Sequence, residues 1–196
     1  MPLDEVLQAA ARRGDEVGCP GVSPGTGAAL QALAALAGAR AVVEVGTGAG
    51  VSGLWLLRGM RPDGVLTSVD LEAEHTRLAR ESFAQAGIGT PRTRLITGQA
   101  LEVLPRLADA AYDLMFCDTS PQEGPAYLEQ AARLLRAGGV VVFDHALAQD
   151  KVADPAQRDP ATVATRSLGT TLRDDERFVP ALLPVGDGLL LAVKRV

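Results

Sequence analysis

The apolar positions of this chain change period partway along its length, and that change divides it into three stretches. In the first 38 residues they recur at helical spacing. Leu3, Val6, Leu7 and Ala10 share one face of a helix that Gly14 is placed to end. Leu30, Leu33, Ala34 and Ala37 mark a second helical stretch before Gly38. Between them, Gly18 to Gly27 holds two prolines and four glycines and reads as a loop. From Ala41 onward, short apolar runs alternate with amphipathic ones. The predicted strands are Ala41–Val45, Val65–Asp70, Arg94–Thr97, Tyr112–Asp118 and Val140–Asp144. The predicted helices are Ala49–Met60, Leu71–Ala86, Gln99–Leu107 with an interruption at Pro105, Pro125–Ala137 stopped by Gly138-Gly139, and Ala161–Arg173. The tail changes again: Phe178–Leu183 and Leu189–Lys194, joined by Val185-Gly186-Asp187-Gly188, form a hairpin pattern. Five strand–helix units and a terminal hairpin predict an α/β fold, with a mainly parallel sheet, one reversed strand and helices on both faces. We expect one domain over residues 1–196, with 1–38 as a helical and loop cover.

Composition narrows the partners. The chain has 196 residues, 47% of them hydrophobic, enough for a packed core. No apolar run approaches the ~18–20 residues of a membrane span, and Met1-Pro2-Leu3-Asp4-Glu5 is acidic where a secretory signal is basic. Cys19 and Cys117 read as small hydrophobes in a reducing compartment, so the expected location is cytoplasmic. The net charge of −5, without a Lys/Arg block, argues against nucleic acid and leaves a small-molecule partner.

In an open parallel sheet, ligands bind beyond the carboxyl ends of the strands where strand order reverses. The first predicted strand runs into Glu44-Val45-Gly46-Thr47-Gly48-Ala49-Gly50. Glycines there allow a tight turn and close approach of backbone to a ligand, and a helix amino terminus offers free N–H groups. Gly48 to Gly53 satisfies the dinucleotide pattern G-x-G-x-x-G, though a plain strand-to-helix turn has the same composition. Glu44 separates the cofactors. A carboxylate inside a buried strand is costly unless paired, and this one would attract a sulfonium or amino group and repel a pyrophosphate. Asp70, at the end of the second strand, is placed for ribose hydroxyls or for capping the next helix. Gly98-Gln99-Ala100 falls near the adenine or simply starts a helix.

The chain resembles the class I O-methyltransferases of the caffeoyl-CoA and catechol type, in their actinobacterial branch. The resemblance runs from about Val22 to the end. It rests on Val42–Ser52, Val69-Asp70, Tyr112–Asp118, Leu134–Val140 and the ending Leu183-Pro184-Val185-Gly186-Asp187-Gly188-Leu189-Leu190, in that order. It implies a Rossmann-like, seven-stranded sheet and S-adenosyl-L-methionine as methyl donor. The implied cofactor residues are Val22, Glu44, Gly46, Thr47, Gly48, Ser52, Asp70, Gln99, Ala100 and Asp118. It also implies a homodimer and a hydroxyl acceptor, phenolic or catechol-like.

The catalytic positions depart from the family. Its divalent-metal ligands are an Asp after the fourth strand and an Asp-Asn pair after the fifth. Here Asp118 and Asp144-His145 stand there, an oxygen and imidazole set for Mg²⁺ or Mn²⁺. The family lysine three residues after the first Asp is replaced by Pro121, and Lys151 and Lys194 are the only lysines. His145 is the substitute base, a role that competes with ligating a metal. His75 has no partner signal and reads as structural or exposed. The fourth strand end lacks the Asn/Asp-Pro-Pro-aromatic signature of N-methyltransferases. Two other readings stand: a cofactor-binding protein with degraded chemistry, and an NAD-linked oxidoreductase.

Overall fold

The computed structural model describes residues 4–196. Helices α1 (Glu5–Glu16) and α2 (Pro24–Leu36) come first, followed by β1 (Ala41–Val45), α3 (Val51–Gly59), β2 (Val65–Asp70), α4 (Ala73–Gln85) and β3 (Thr93–Thr97). The second half holds α5 (Ala100–Val103), β4 (Tyr112–Cys117), α6 (Gly124–Leu134), β5 (Leu135–Phe143), α7 (Pro160–Asp174), β6 (Phe178–Leu183) and β7 (Leu189–Lys194). The strands form one seven-stranded sheet in the order β3-β2-β1-β4-β5-β7-β6. Only β7 runs against the others, pairing antiparallel with both β5 and β6. Strand order reverses between β1 and β4, whose ends are in register at Val45 and Cys117.

Strands β1, β2, β4, β5 and β7 are covered on both faces, which is why they are mostly apolar, whereas the edge strands β3 and β6 are partly exposed. Val42, Leu114, Phe116 and Val142 pack with Leu30, Leu54 and Phe83 on the α1–α4 side. Val43, Met115, Val141 and Phe143 pack with Leu128, Leu134 and Leu168 on the other. Each such side chain stabilises the fold by about 1.5–3 kcal/mol. No helix among the described residues is long and apolar enough to cross a membrane.

Several boundaries differ from the sequence expectation, each for a local reason. Leu3 lies outside the described residues. Helix α1 continues past Gly14 to Glu16. Gly14 instead lets the chain fold back, since a Cβ there would stand 2.4 Å from the Cys19 carbonyl oxygen. The loop ends early: Ser23 accepts from Thr26 N at 3.1 Å and Pro24 opens α2, a capping signal hidden in a proline- and glycine-rich run. Leu71 is not helical and is 62% exposed, because α4 starts only at Ala73. Helix α6 ends at Leu134, and Gly138-Gly139 lies inside β5 rather than stopping a helix. Pairing of Leu135 with Tyr112, and the Arg136 Nε to Asp113 Oδ1 bond of 2.6 Å, draw that segment into the sheet.

The turn between β6 and β7 is wedged between two other segments. A Cβ on Gly186 would lie 2.2 Å from Thr26 Oγ1 at the start of α2, and one on Gly188 would lie 2.5 Å from Leu147 Cγ.

Candidate functional site

The turn after β1 uses glycine where only glycine fits. Gly46, Gly48 and Gly50 have φ of 92°, 49° and 87°. A Cβ on Gly46 would sit 2.3 Å from the Asp118 carbonyl oxygen, so the turn lies directly against the end of β4. Asp70 holds it from the other side. Its Oδ2 accepts from Thr47 N and Gly48 N, both at 2.9 Å. Its Oδ1 accepts from Glu72 N at 2.9 Å and lies 3.0 Å from His75 Nδ1. His75, expected to lack a partner, is thus bound to Asp70 and faces the site, because α4 begins three residues after β2 and turns its first residues back over the strand end.

These segments enclose a cavity of about 460 Å³. Val22, Gly46, Thr47, Gly48, Ser52, Asp70, Gln99, Ala100 and Asp118 all line it. Cys19, His75 and Tyr127 also reach it. The acids Asp70, Asp118 and Glu123 stand in these walls with no lysine or arginine among them, which disfavours a pyrophosphate.

Glu44 is the one expected cofactor residue that does not line the cavity. Strand alternation turns Val45 into the cavity and Glu44 to the α3 side, where it is fully buried. Thr47 Oγ1 lies 2.7 Å from Ser68 Oγ, which in turn donates to Glu44 Oε2 at 2.5 Å. Oε1 is buried without a hydrogen-bond partner. Burial pushes its pKa up to about 7, against the pull of the Ser52 and Ser68 hydroxyls. Glu44 thus stands behind the lining residues, tied to the turn through the Thr47–Ser68 chain.

A second group forms past β4 and β5. Ligand atoms of Asp118, Asp144 and His145 all lie within 4.8 Å of one another. His145 Nε2 is 3.5 Å from Asp118 Oδ1, its backbone N donates to Asp144 Oδ1 at 2.8 Å, and Nδ1 is 3.1 Å from Asp187 Oδ2. Burial and the nearby Asp144 push Asp118 up to about 6, and burial likewise raises Asp144. Burial alone would lower His145, but Asp144, Asp118 and Asp187 outweigh it and raise its pKa. Two carboxylates and an imidazole are a donor set for one divalent cation, with the imidazole favouring a transition metal over Mg²⁺. Pro121 opens a single 3₁₀ turn where the family has lysine, and Lys194 bonds Leu135 O at 2.8 Å, at the start of β5.

Asp144 and His145 also edge a smaller, mostly apolar cavity of about 220 Å³, with Phe143, Leu168 and Leu190 among its walls. It adjoins the first cavity at Thr119 and Tyr127. Asp187, Cys19 and the pair Tyr127 Oη–Glu123 Oε2, bonded at 2.7 Å, were not singled out from the sequence. Asp187 was read only within the hairpin turn and the ending that carries the resemblance, and Tyr127 falls within the predicted helix Pro125–Ala137.

The sequence profile of a family described as O-methyltransferase matches residues 3–195. A Mycobacterium tuberculosis (strain H37Rv) relative bearing an O-methyltransferase name is 54% identical over 191 residues, 97% of this chain and 85% of the relative. The crystal structure of the O-methyltransferase TomG from Streptomyces achromogenes, in complex with SAM, is similar at 31% identity and a TM-score of 0.90, over 100% of this chain and 92% of that one. An O-methyltransferase from Bacillus cereus, in complex with SAH, aligns at 29% identity with a TM-score of 0.90, over 100% and 93% of the two chains. Fold, glycine turn and acid-lined cavity agree with these likenesses: the chain belongs to the O-methyltransferase family.

Proposed function

We propose that this protein transfers the methyl group of S-adenosylmethionine to a hydroxyl oxygen of a small phenolic or catechol-like acceptor. One observation carries the reading: an acid-lined cavity bordered by a glycine turn shares Thr119 and Tyr127 with a smaller apolar cavity edged by His145 and Asp144. The larger cavity suits a cationic sulfur nucleoside, with Asp70 in its wall and Glu44 behind it as the nearby acids. The ribose hydroxyls would share Asp70 Oδ1 with His75. The smaller cavity suits a ring: an apolar cavity of ~150 Å³ already admits benzene.

Methyl transfer is an in-line displacement, so most of the rate comes from holding the acceptor oxygen behind the methyl carbon. As the O–C bond forms and the C–S bond breaks, the electron pair goes to sulfur, giving S-adenosylhomocysteine and a methyl ether. The hydroxyl proton passes to His145 Nε2. Asp118 and Asp144 stabilise the imidazolium that results.

The 4.8 Å grouping of donors favours a second arrangement, in which Asp118, Asp144 and His145 hold a divalent cation. Such an ion would lower the acceptor's pKa and draw its oxygen into place.

Calorimetry with S-adenosylmethionine, S-adenosylhomocysteine and NAD tests the donor; binding of NAD alone overturns it. A methyl-release assay over catechols and phenols, with Mn²⁺ or with chelator, tests the chemistry. His145→Ala should lower kcat at least ~100-fold. Activity abolished by chelator and restored by Mn²⁺ selects the metal arrangement; unchanged activity selects the base. Tight donor binding with no turnover on any hydroxyl acceptor would identify a binding protein instead.

A further inference from the structure

We infer that Asp187 is a positioning residue that fixes the tautomer of His145, directing the bare Nε2 toward Asp118 and the acceptor. The inference builds on the role proposed for His145 above.

Asp187 lies in the turn between β6 and β7, 42 residues from His145, and binds the 145–149 segment at three points. Its Oδ2 is 3.1 Å from His145 Nδ1, its Oδ1 accepts from Gln149 N at 2.6 Å, and its carbonyl accepts from Leu147 N at 2.8 Å. Gly188 O adds a fourth tie, from Ala146 N at 2.9 Å. The held segment is strained: His145, Ala148, Gln149 and Asp150 all have positive φ, between 47° and 65°. Each such non-glycine residue costs about 1–2 kcal/mol, so the conformation persists only where its surroundings impose it.

The chemical consequence lies in the imidazole. His145 is 64% exposed, and packing alone does not hold its ring. A neutral imidazole carries one N–H, and which nitrogen bears it is set by the bond the other makes. Free histidine prefers the proton on Nε2. Here carboxylates flank both nitrogens, but Asp187 stands at 3.1 Å and Asp118 at 3.5 Å. The closer acceptor takes the proton on Nδ1, reversing the intrinsic preference. Nε2 then offers a lone pair to an acceptor proton or to a cation, the arrangement of a carboxylate-oriented histidine in either setting.

Protein labelled with ¹⁵N-imidazole histidine tests this directly, since the chain has only two histidines and His145→Ala identifies the signals. In metal-free protein at alkaline pH, His145 should show a protonated Nδ1 and a bare Nε2. Asp187→Asn can keep the Gln149 N–H bond through its Oδ1 while presenting an NH₂ to Nδ1, and should move the proton to Nε2. With catechol as acceptor, that variant should lose about 100-fold in kcat, with KM for S-adenosylmethionine within about 2-fold. Placed in the His145→Ala background, Asp187→Asn should cause no further loss. A wild-type His145 protonated on Nε2 overturns the inference, as does an unchanged tautomer in Asp187→Asn or an undiminished effect without His145. The wild-type spectrum decides even if the variant fails to fold. It needs no turnover, so a protein that ignores catechol would refute the acceptor assignment and leave this inference standing.

Discussion

Glu44 and Asp70 stand at neighbouring strand ends and carry charge in opposite circumstances. Asp70 spends its carboxylate on the Thr47 and Gly48 N–H groups, bonds of 2.9 Å each. Hydrogen bonds to a charged group contribute about 1.5–3 kcal/mol. Asp70→Asn should therefore weaken S-adenosylmethionine binding by about 10- to 100-fold in calorimetry. An unchanged affinity would show that the turn holds its shape without this acid. Glu44 behaves differently because burial raises its pKa from 4.5 to about 7. An acid that ionises more easily in the unfolded chain lends stability at low pH and withdraws it as pH rises. The loss begins near 4.5, is complete just above 7 and amounts to about 3 kcal/mol. Urea unfolding at pH 5 and pH 8 should show a decline about 2–3 kcal/mol larger in the wild type than in Glu44→Gln, which keeps the decline due to Asp118, Asp144 and His145. Parallel declines in both proteins would assign it to other groups.

Among the elements, those with a strong period were legible and those set by long-range contact were not. Strands β1, β2, β6 and β7 fall where the apolar runs place them, because each run is short and bounded by turn residues. The reach of β5 back to Leu135 depends on pairing with Tyr112, a partner that no local window contains. The site divides similarly. The glycine turn, Asp70 and the Asp118–Asp144–His145 group were legible, since each follows a strand end. Glu44 was read as a buried strand carboxylate, and its full burial agrees, while alternation puts its side chain on the opposite face of β1 from Val45. Asp187 was illegible, because its partner lies 42 residues away and takes a left-handed backbone that no residue preference announces. The turn after β1 should tolerate little. Gly46→Ala meets both a φ of 92° and a carbonyl oxygen at 2.3 Å, and should destabilise by at least ~2 kcal/mol in urea unfolding. A loss below ~0.5 kcal/mol would mean that β1 and β4 can part at their ends.

For the molecule as a whole, the terminal hairpin does more than complete the sheet. Its turn lies against Thr26 at one glycine and against Leu147 at another, so it joins the start of α2 to the segment that follows His145. A tie between segments beside the two cavities would make their occupancy interdependent: a donor that stiffens one should sharpen affinity for the acceptor at the other, and the reverse by the same factor. Gly186→Ala, which thrusts a methyl group toward Thr26, should shrink that mutual factor toward one while leaving each ligand able to bind alone. Two-ligand titrations would measure it. A factor that stays unchanged in Gly186→Ala would show that the hairpin turn carries no message between the two cavities.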